Sequence, residues 1–148
     1  MLETLLRFES IMRGNQSRAQ TQMDLTNLQN SLTPLEFKSA AQNVCMRYAH
    51  APTVLRRCIL WELLSNEFPA PYIRRSVAPG VTLFHDPDVS CANKCIVFAF
   101  CSKAHRLMMP TGVFLQLLPS AEVDVVVLSD RSLNHFSLGV PDYAADFL

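Results

Sequence analysis

The fold is decided by residues 95–128, which read CIVFAFCSKAHRLMMPTGVFLQLLPSAEVDVVVL. The uninterrupted apolar run at 95–101 has the length of a strand and is typical of a strand covered on both faces. Residues 111–118 lie between two prolines and indicate a helix, and residues 123–128 have the β-branched, apolar character of a second buried strand. Strand, helix and strand in this order predict a crossover unit with parallel strands and a right-handed connection.

The first half of the chain has the pattern of helices. Thr33, Pro34 and Glu36 form a helix-start signature: Thr33 caps, Pro34 takes the first helical position and Glu36 bonds back to the cap. A second helix is expected to follow, with Ile59 on its apolar face. The two helices together predict a helical hairpin. The polar stretch 14–30 indicates either a loose helix or an exposed connector.

Proline divides the chain into regions of different character. Seven of the nine prolines fall from Pro69 onward, and they exclude helix and favour extended backbone in the residues before them. The expected organisation is a helical N-terminal region at 1–68, a Pro-rich linker or extended arm at 69–79 and an incomplete α/β domain at 80–148. The expected fold class is α/β, with a helical N-terminal segment followed by a partial, mostly parallel sheet that contains the strand-helix-strand crossover.

The composition narrows the class of partner. The chain has 148 residues, of which 49% are hydrophobic, and its 13 basic and 13 acidic side chains cancel. This balance gives no field that would recruit nucleic acid, and without a run of about 18 apolar residues no membrane-spanning helix is expected. The N-terminus lacks the pattern of a secretory signal. We therefore expect a cytoplasmic protein with no nucleic-acid partner and no membrane partner.

The five cysteines lie in largely apolar surroundings, which favours buried, reduced thiols. The alternative is a metal site built from Cys91, Cys95, His85 and His105. A Cys-x3-Cys pair alone does not have the paired spacing of the common zinc modules. A glycine-rich turn that would cradle a phosphate is also missing from the loops after the two strands. We therefore expect no metal and no cofactor.

Two polar loops follow the predicted parallel strands, and ligands of open α/β sheets bind at this end of the strands. The loops span 102–110 and 129–137, and both contain histidine and arginine. The candidate catalytic residues are Ser102, Lys103, His105, Asp130 and His135. The two histidines are candidate bases, although neither has an acid nearby in the sequence to orient it. No Gly-x-Ser-x-Gly nucleophile elbow occurs in the chain.

A resemblance follows from this order of elements. The strand and loop at 95–110, the strand ending in Asp130-Arg131, and PDYAADFL at 141–148 resemble the N-terminal part of an α/β-hydrolase of an uncharacterised bacterial type. The resemblance covers residues 80–148. It implies that the loop after the first buried strand contributes to an oxyanion hole, that the parent protein acts on a small-molecule substrate by ester or acyl-transfer chemistry, and that this chain is a fragment. Because the elbow and the full triad are missing, we expect the chain alone to be inactive.

Two alternatives remain open. The apolar residues Leu2, Leu5 and Leu6 and the helices after them favour a non-enzymatic interaction module that self-associates through its N-terminal helices. Packing of the same residues into the core is the competing interpretation. The loop residues His105, Arg106 and Arg131 instead suggest a small Rossmann-like sugar-nucleotide or glycosyl-transfer unit.

Overall fold

The computed structural model describes residues 2–90, 93–101 and 107–129 of the chain. Within these residues, five helices come first, then three strands, a sixth helix and a fourth strand. The helices are α1 (Leu2–Arg13), α2 (Arg18–Gln29), α3 (Pro34–Arg47), α4 (Ala51–Leu55), α5 (Ile59–Leu64) and α6 (Thr111–Gln116). The strands are β1 (Ile73–Ala78), β2 (Val81–His85), β3 (Cys95–Phe100) and β4 (Val123–Leu128). None of the described helices combines the length and the hydrophobicity that a membrane crossing requires.

The polar stretch 14–30 forms a packed helix rather than an exposed connector. Helix α2 begins after Ser17, whose hydroxyl accepts a hydrogen bond from the amide of Gln20 at 3.2 Å. Its spaced leucines, Leu25 and Leu28, are buried in the helical core. Thr21 and Gln29 are buried with them, so packing of this face holds a helix whose remaining surface is mostly polar, because tertiary packing rather than propensity stabilises most helices in proteins.

The predicted capping box at the start of α3 is confirmed. The Thr33 hydroxyl accepts a hydrogen bond from the Glu36 amide at 3.2 Å, and the Thr33 amide donates to a Glu36 carboxylate oxygen at 3.0 Å. Pro34 occupies the first turn, where its missing N–H costs nothing. The helix then buries Phe37 and Val44, and the ring of Phe37 meets that of Phe8 on α1 edge to face, with centroids 5.7 Å apart.

The expected second helix of the hairpin is two short helices, and the prediction for Ile59 was wrong. The break lies between α4 and α5, where Cys58 has extended backbone, with φ −86° and ψ 129°. This interruption changes which side chains face inward. Ile59 is 53% exposed, whereas Leu60 and Leu64 are buried in the helical core.

Helix α6 joins the helical core to the sheet. Val113 packs in the helical core, and Leu115 packs with the sheet residues Phe84 and Val125. A Cβ atom at Gly112 would lie 2.7 Å from a methyl group of Leu60 and 3.0 Å from a backbone oxygen. Glycine therefore allows this helix to approach the other helices closely.

The four described strands form one sheet in the order β1-β2-β4-β3. Strands β3 and β4 are parallel and are joined through α6, which confirms the α/β class and the strand-helix-strand crossover. The sheet is mixed, however, and not mostly parallel, because β2 pairs antiparallel with both β1 and β4. The cause is a hairpin at the front of the sheet, which reverses the chain before the crossover begins.

This hairpin lies partly in the segment 69–79 that was predicted to be a linker or extended arm. The backbone there is extended, as its prolines require, but Ile73–Ala78 pairs with β2 instead of connecting two domains. The turn contains Pro79 and then Gly80, whose φ of 84° lies in the left-handed region. Proline followed by a glycine with positive φ is the pattern of a type II turn. The outer boundaries at 1–68 and 80–148 stay predictions.

Strand β3 is less covered than its apolar sequence predicted. It lies at one edge of the sheet formed by the described residues, and Ile96 and Phe100 are 43% and 53% exposed. The central position belongs to β4, where Val125 and Val126 are fully buried as expected. Apolar character alone therefore did not distinguish the central strand from the edge strand.

Candidate functional site

A cleft of about 790 Å³ lies between the helices and the sheet, where the parallel strands end. Its walls include Cys101 and Ser129, the first residues after β3 and β4, together with Thr111 at the start of α6. The volume is that of a pocket for a small organic molecule. The position is the one expected for a ligand site of an open α/β sheet, outside the carboxyl ends of parallel strands.

The hairpin turn reaches the same end of the sheet because β2 runs opposite to β4. Val81 at the start of β2 is paired with Leu128 at the end of β4. The amide of Ser129 donates a hydrogen bond of 2.7 Å to the carbonyl of Gly80. Gly80 thus lines the cleft with bare backbone, although neither of the two loops predicted to form the site contains glycine in the sequence.

The floor of the cleft is one face of the hairpin. Alternate residues of a strand point to the same face of a sheet, and Arg74 and Ser76 of β1 both line the cleft. Their partners in the register are Phe84 and Thr82 of β2, which line it too. The floor therefore combines hydroxyl groups with an aromatic ring and carries a guanidinium at the far end from the turn.

The opposite wall is the corner between α2 and α3. The hydroxyl of Thr111 donates to the carbonyl of Asn30 at 2.9 Å, which ties α6 to the end of α2. Arg74 Nη1 donates to the carbonyl of Ser31 at 2.6 Å, which ties β1 to the same corner. Carbonyl groups at a helix end have no partner within the helix, so these two side chains satisfy the backbone and fix the width of the cleft.

Arg74 is oriented by a second contact in this corner. Its Nε lies 3.2 Å from one carboxylate oxygen of Glu36, while the other oxygen accepts the amide of Thr33 in the capping box. The side chain of Arg74 is 40% exposed and that of Glu36 is 19% exposed. The guanidinium is therefore held on its helix side and open toward the cleft.

Neither an activated thiol nor a metal centre is found among these groups. Burial raises the pKa of the Cys101 thiol above its ordinary value, so the thiol is protonated near neutral pH. The described cysteines, including Cys45, Cys58 and Cys95, are free thiols. Within residues 2–90, 93–101 and 107–129, no three His, Cys, Asp or Glu side chains are grouped to hold a metal ion.

A buried ion pair lies at the other end of the sheet. Lys94 Nζ and Asp124 Oδ1 are 3.0 Å apart, and their side chains are only 2% and 8% exposed. Lys94 precedes β3 and Asp124 is the second residue of β4, so the pair spans the start of the two parallel strands. It is placed to fix their alignment, since each charge has lost its solvation by burial and only the other charge compensates that loss.

Tyr72 and Asp86 extend this buried polar cluster. The hydroxyl of Tyr72 donates to the carbonyl of Val123 at 3.0 Å, and Ser120 donates to Asp86 at 2.9 Å. Burial, with smaller contributions from the charges of Asp124 and Asp86, raises the pKa of Tyr72 to about 12. The phenol therefore stays neutral at physiological pH and acts as a hydrogen-bond donor that supports the sheet.

The candidate residues Ser102, Lys103, His105, Asp130 and His135 lie outside the described residues, as do Arg106, Arg131, Cys91 and Asp142–Leu148. Cys101, the residue before the first loop, and Ser129, the first residue of the second loop, do meet at the cleft. Sequence reasoning missed Arg74, because a two-residue basic cluster in an expected linker gave no reason to place it at a site. The Pro79-Gly80 turn signal between two short stretches that contain β-branched residues would have indicated the hairpin that brings it there.

Comparison of the chain with protein-family models, with curated proteins and with solved structures gives no match. No relative supplies a function, so the residues of the cleft have to indicate one.

Proposed function

We propose that the chain is the N-terminal part of an α/β-hydrolase-like protein of ester or acyl-transfer type, and that its cleft holds a small-molecule substrate. The observation that carries this proposal is the position of the cleft at the ends of the parallel pair, beside the connection from β3 to α6. In α/β-hydrolases, the loop between the third strand and the following helix supplies an amide to the oxyanion hole. Here β3 is the third strand in chain order, and residues 102–110 connect it to α6.

The chain by itself is proposed to bind without turnover. Acyl transfer by a serine enzyme needs a nucleophile, a base and an orienting acid together, and the sequence contains no Gly-x-Ser-x-Gly elbow. The role left to these residues is to shape the acyl pocket and to present backbone amides. We also propose a cytoplasmic location, supported by the free thiols of the described cysteines.

Substrate binding is tested by NMR titration of the 15N-labelled chain with methyl butyrate. The expected result is saturable movement of the amide resonances of Cys101, Thr111 and Ser129, while Asp88 and Ser120 at the other end of the sheet stay in place. Absence of any movement at the cleft overturns the proposal.

Turnover is tested with p-nitrophenyl butyrate and the purified chain. We expect hydrolysis no faster than in buffer. Hydrolysis that is abolished by Ser102→Ala or by His105→Ala would show instead that the chain alone is an enzyme. This result would overturn the proposal that the chain binds without turnover.

Self-association through the N-terminal helices is the second candidate, because apolar side chains remain exposed there. Leu6 on α1 is 57% exposed and Met46 on α3 is 78% exposed. Other residues of α1 support core packing instead, since Phe8 and Met12 are buried in the helical core. Light scattering after chromatography decides the matter: a dimer that Leu6→Gln converts to a folded monomer supports association, and a wild-type monomer at all concentrations removes it.

A further inference from the structure

We propose that Arg74 anchors a carboxylate group of the molecule that occupies the cleft. The proposal rests on the proposed function for the use of the cleft and narrows its ligand to an acyl compound that bears a second, ionised carboxyl group. The argument comes from the donors that Arg74 has left, from the charges around the cleft and from the distance to the strand ends.

Arg74 has donors to spare on a side chain that lines the cleft. A guanidinium carries five N–H donors in a fixed plane. The Nε donor meets Glu36, and one Nη1 donor meets the carbonyl of Ser31. Three donors remain on a side chain that is 40% exposed and lines the cleft. Because the two occupied donors fix the plane of the group, little side-chain freedom is lost when a carboxylate binds to the others.

The charges around the cleft favour one negative group. Among the described residues that line the cleft, Arg74 carries the single formal charge, and the others are apolar, hydroxyl, amide or thiol residues. Glu36 pairs with Arg74 through one oxygen and caps α3 through the other, so a ligand carboxylate has to share the guanidinium with it. A carboxylate brings one negative charge and two oxygens that match the guanidinium fork. A phosphate monoester would bring close to two negative charges against one arginine.

The register of the sheet sets the length of the ligand. In the register of the sheet, Arg74 is paired with Phe84, and Phe84 is paired with Val125 on β4, two strands from β1. Val125 lies four residues before Ser129. With about 3.3 Å per residue and about 4.8 Å between strands, the Cα atoms of Arg74 and Ser129 are about 16 Å apart. The arginine side chain and the ligand together have to bridge that span. An adipate half-ester, with about four methylene groups between its carboxylate and its ester, is chosen as the probe for this distance.

The test compares monomethyl adipate with dimethyl adipate by NMR titration of the whole chain at pH 7. Both probes carry the same ester, and only the first carries a carboxylate. In the wild-type chain we expect the monoester to bind about tenfold more tightly, as a charge-assisted hydrogen-bond pair provides, and added salt should reduce the difference. Arg74→Gln should abolish the preference for the monoester.

Arg75→Gln is the matched control. Arg75 is the next residue of β1, is exposed and points to the other face of the sheet, so the tenfold preference should survive. Because Arg74→Gln also removes the contacts to the α2–α3 corner, Glu36→Gln serves as a second variant. A glutamine can keep the capping box while it removes the competing carboxylate, and we expect the monoester to bind severalfold more tightly.

The outcomes separate this proposal from the proposed function. Equal binding of both esters in the cleft overturns the anchor and leaves the cleft as an acyl site. A preference that survives in folded Arg74→Gln, or Glu36→Gln binding no tighter than wild type, also overturns the anchor. No movement of the cleft resonances with either ester overturns both the proposed function and the anchor.

Discussion

Removal of one partner of the Lys94–Asp124 ion pair should be the most damaging single change in the sheet. Lys94→Met leaves the Asp124 carboxylate with 8% of its side chain exposed and without the ammonium that lies 3.0 Å away. Asp124→Leu leaves the ammonium of Lys94 in the same position with 2% of its side chain exposed. A buried charge that loses its partner costs about 3–5 kcal/mol of folding free energy.

The double variant Lys94→Met/Asp124→Leu should recover most of this loss. It removes both charges at once and leaves apolar side chains at both positions, so no desolvated charge remains. We expect its free energy of unfolding to lie within about 1 kcal/mol of the wild-type value or above it. Arg13→Met is the exposed control, because that guanidinium is 69% exposed in its pair with Glu9. It should leave the unfolding midpoint almost unchanged.

The measurement is urea unfolding at pH 7, followed by circular dichroism and by the fluorescence of Trp61, the only tryptophan. The four free energies form a double-mutant cycle, and the expected coupling is close in magnitude to the sum of the losses in the two single variants. Losses below about 1 kcal/mol in both single variants would be typical of an exposed pair and would refute the reasoning. So would a double variant that shows the sum of the two single losses.

Three further changes test the sheet, the turn and the cap. The pKa of Tyr72 is about 12 in the fold, above about 10 in the unfolded chain, so the stabilisation that the neutral phenol gives the fold should be complete below pH 10 and lost toward pH 12. The urea midpoint should therefore fall as the pH rises from 10 to 12, and Tyr72→Phe should remove this fall. Gly80→Ala forces alanine to a φ of 84° and should cost about 1–2 kcal/mol in urea unfolding, whereas Gly14→Ala, which meets only the Gln16 side chain, should cost less. Thr33→Ala should cost about 1 kcal/mol in the same assay, and an unchanged midpoint would contradict the capping role.

The parts of the fold that sequence predicted are those fixed by local chemistry. The capping box at Thr33 needs two side chains three residues apart, and the crossover 95–128 contains both of its strands and its helix in one stretch. The missed features depend on distant pairing. The exposure of Ile96 follows from the edge position of β3, and that position is set by the strand order, which no local pattern reveals. The break before Ile59 also has no local signal, because no glycine or proline marks it.

The candidate site divides in the same way. Its location was predictable, because open α/β sheets bind ligands outside the carboxyl ends of their parallel strands, and Cys101 and Ser129 are found there. The contribution of Arg74 was not predictable, because Arg74 lies at the cleft only as a result of the pairing of β1 with β2 and of the alternation of side chains between the two faces of β1. In the sequence, Arg74 and Arg75 are equivalent neighbours. In the sheet, one lines the cleft and the other faces away from it.

Glu36 links the stability of the N-terminal helices to the shape of the cleft. One carboxylate oxygen caps α3 through the Thr33 amide, and the other holds the guanidinium of Arg74. The helix start and the orientation of the proposed anchor therefore depend on the same side chain. A carboxylate ligand competes with Glu36 for the charge of Arg74, so its binding should weaken the contact that holds this corner, because the two interactions are linked through the same guanidinium. A carboxylate ligand should thus lower the hydrogen-exchange protection of the Glu36 amide relative to that of amides at the far end of the sheet.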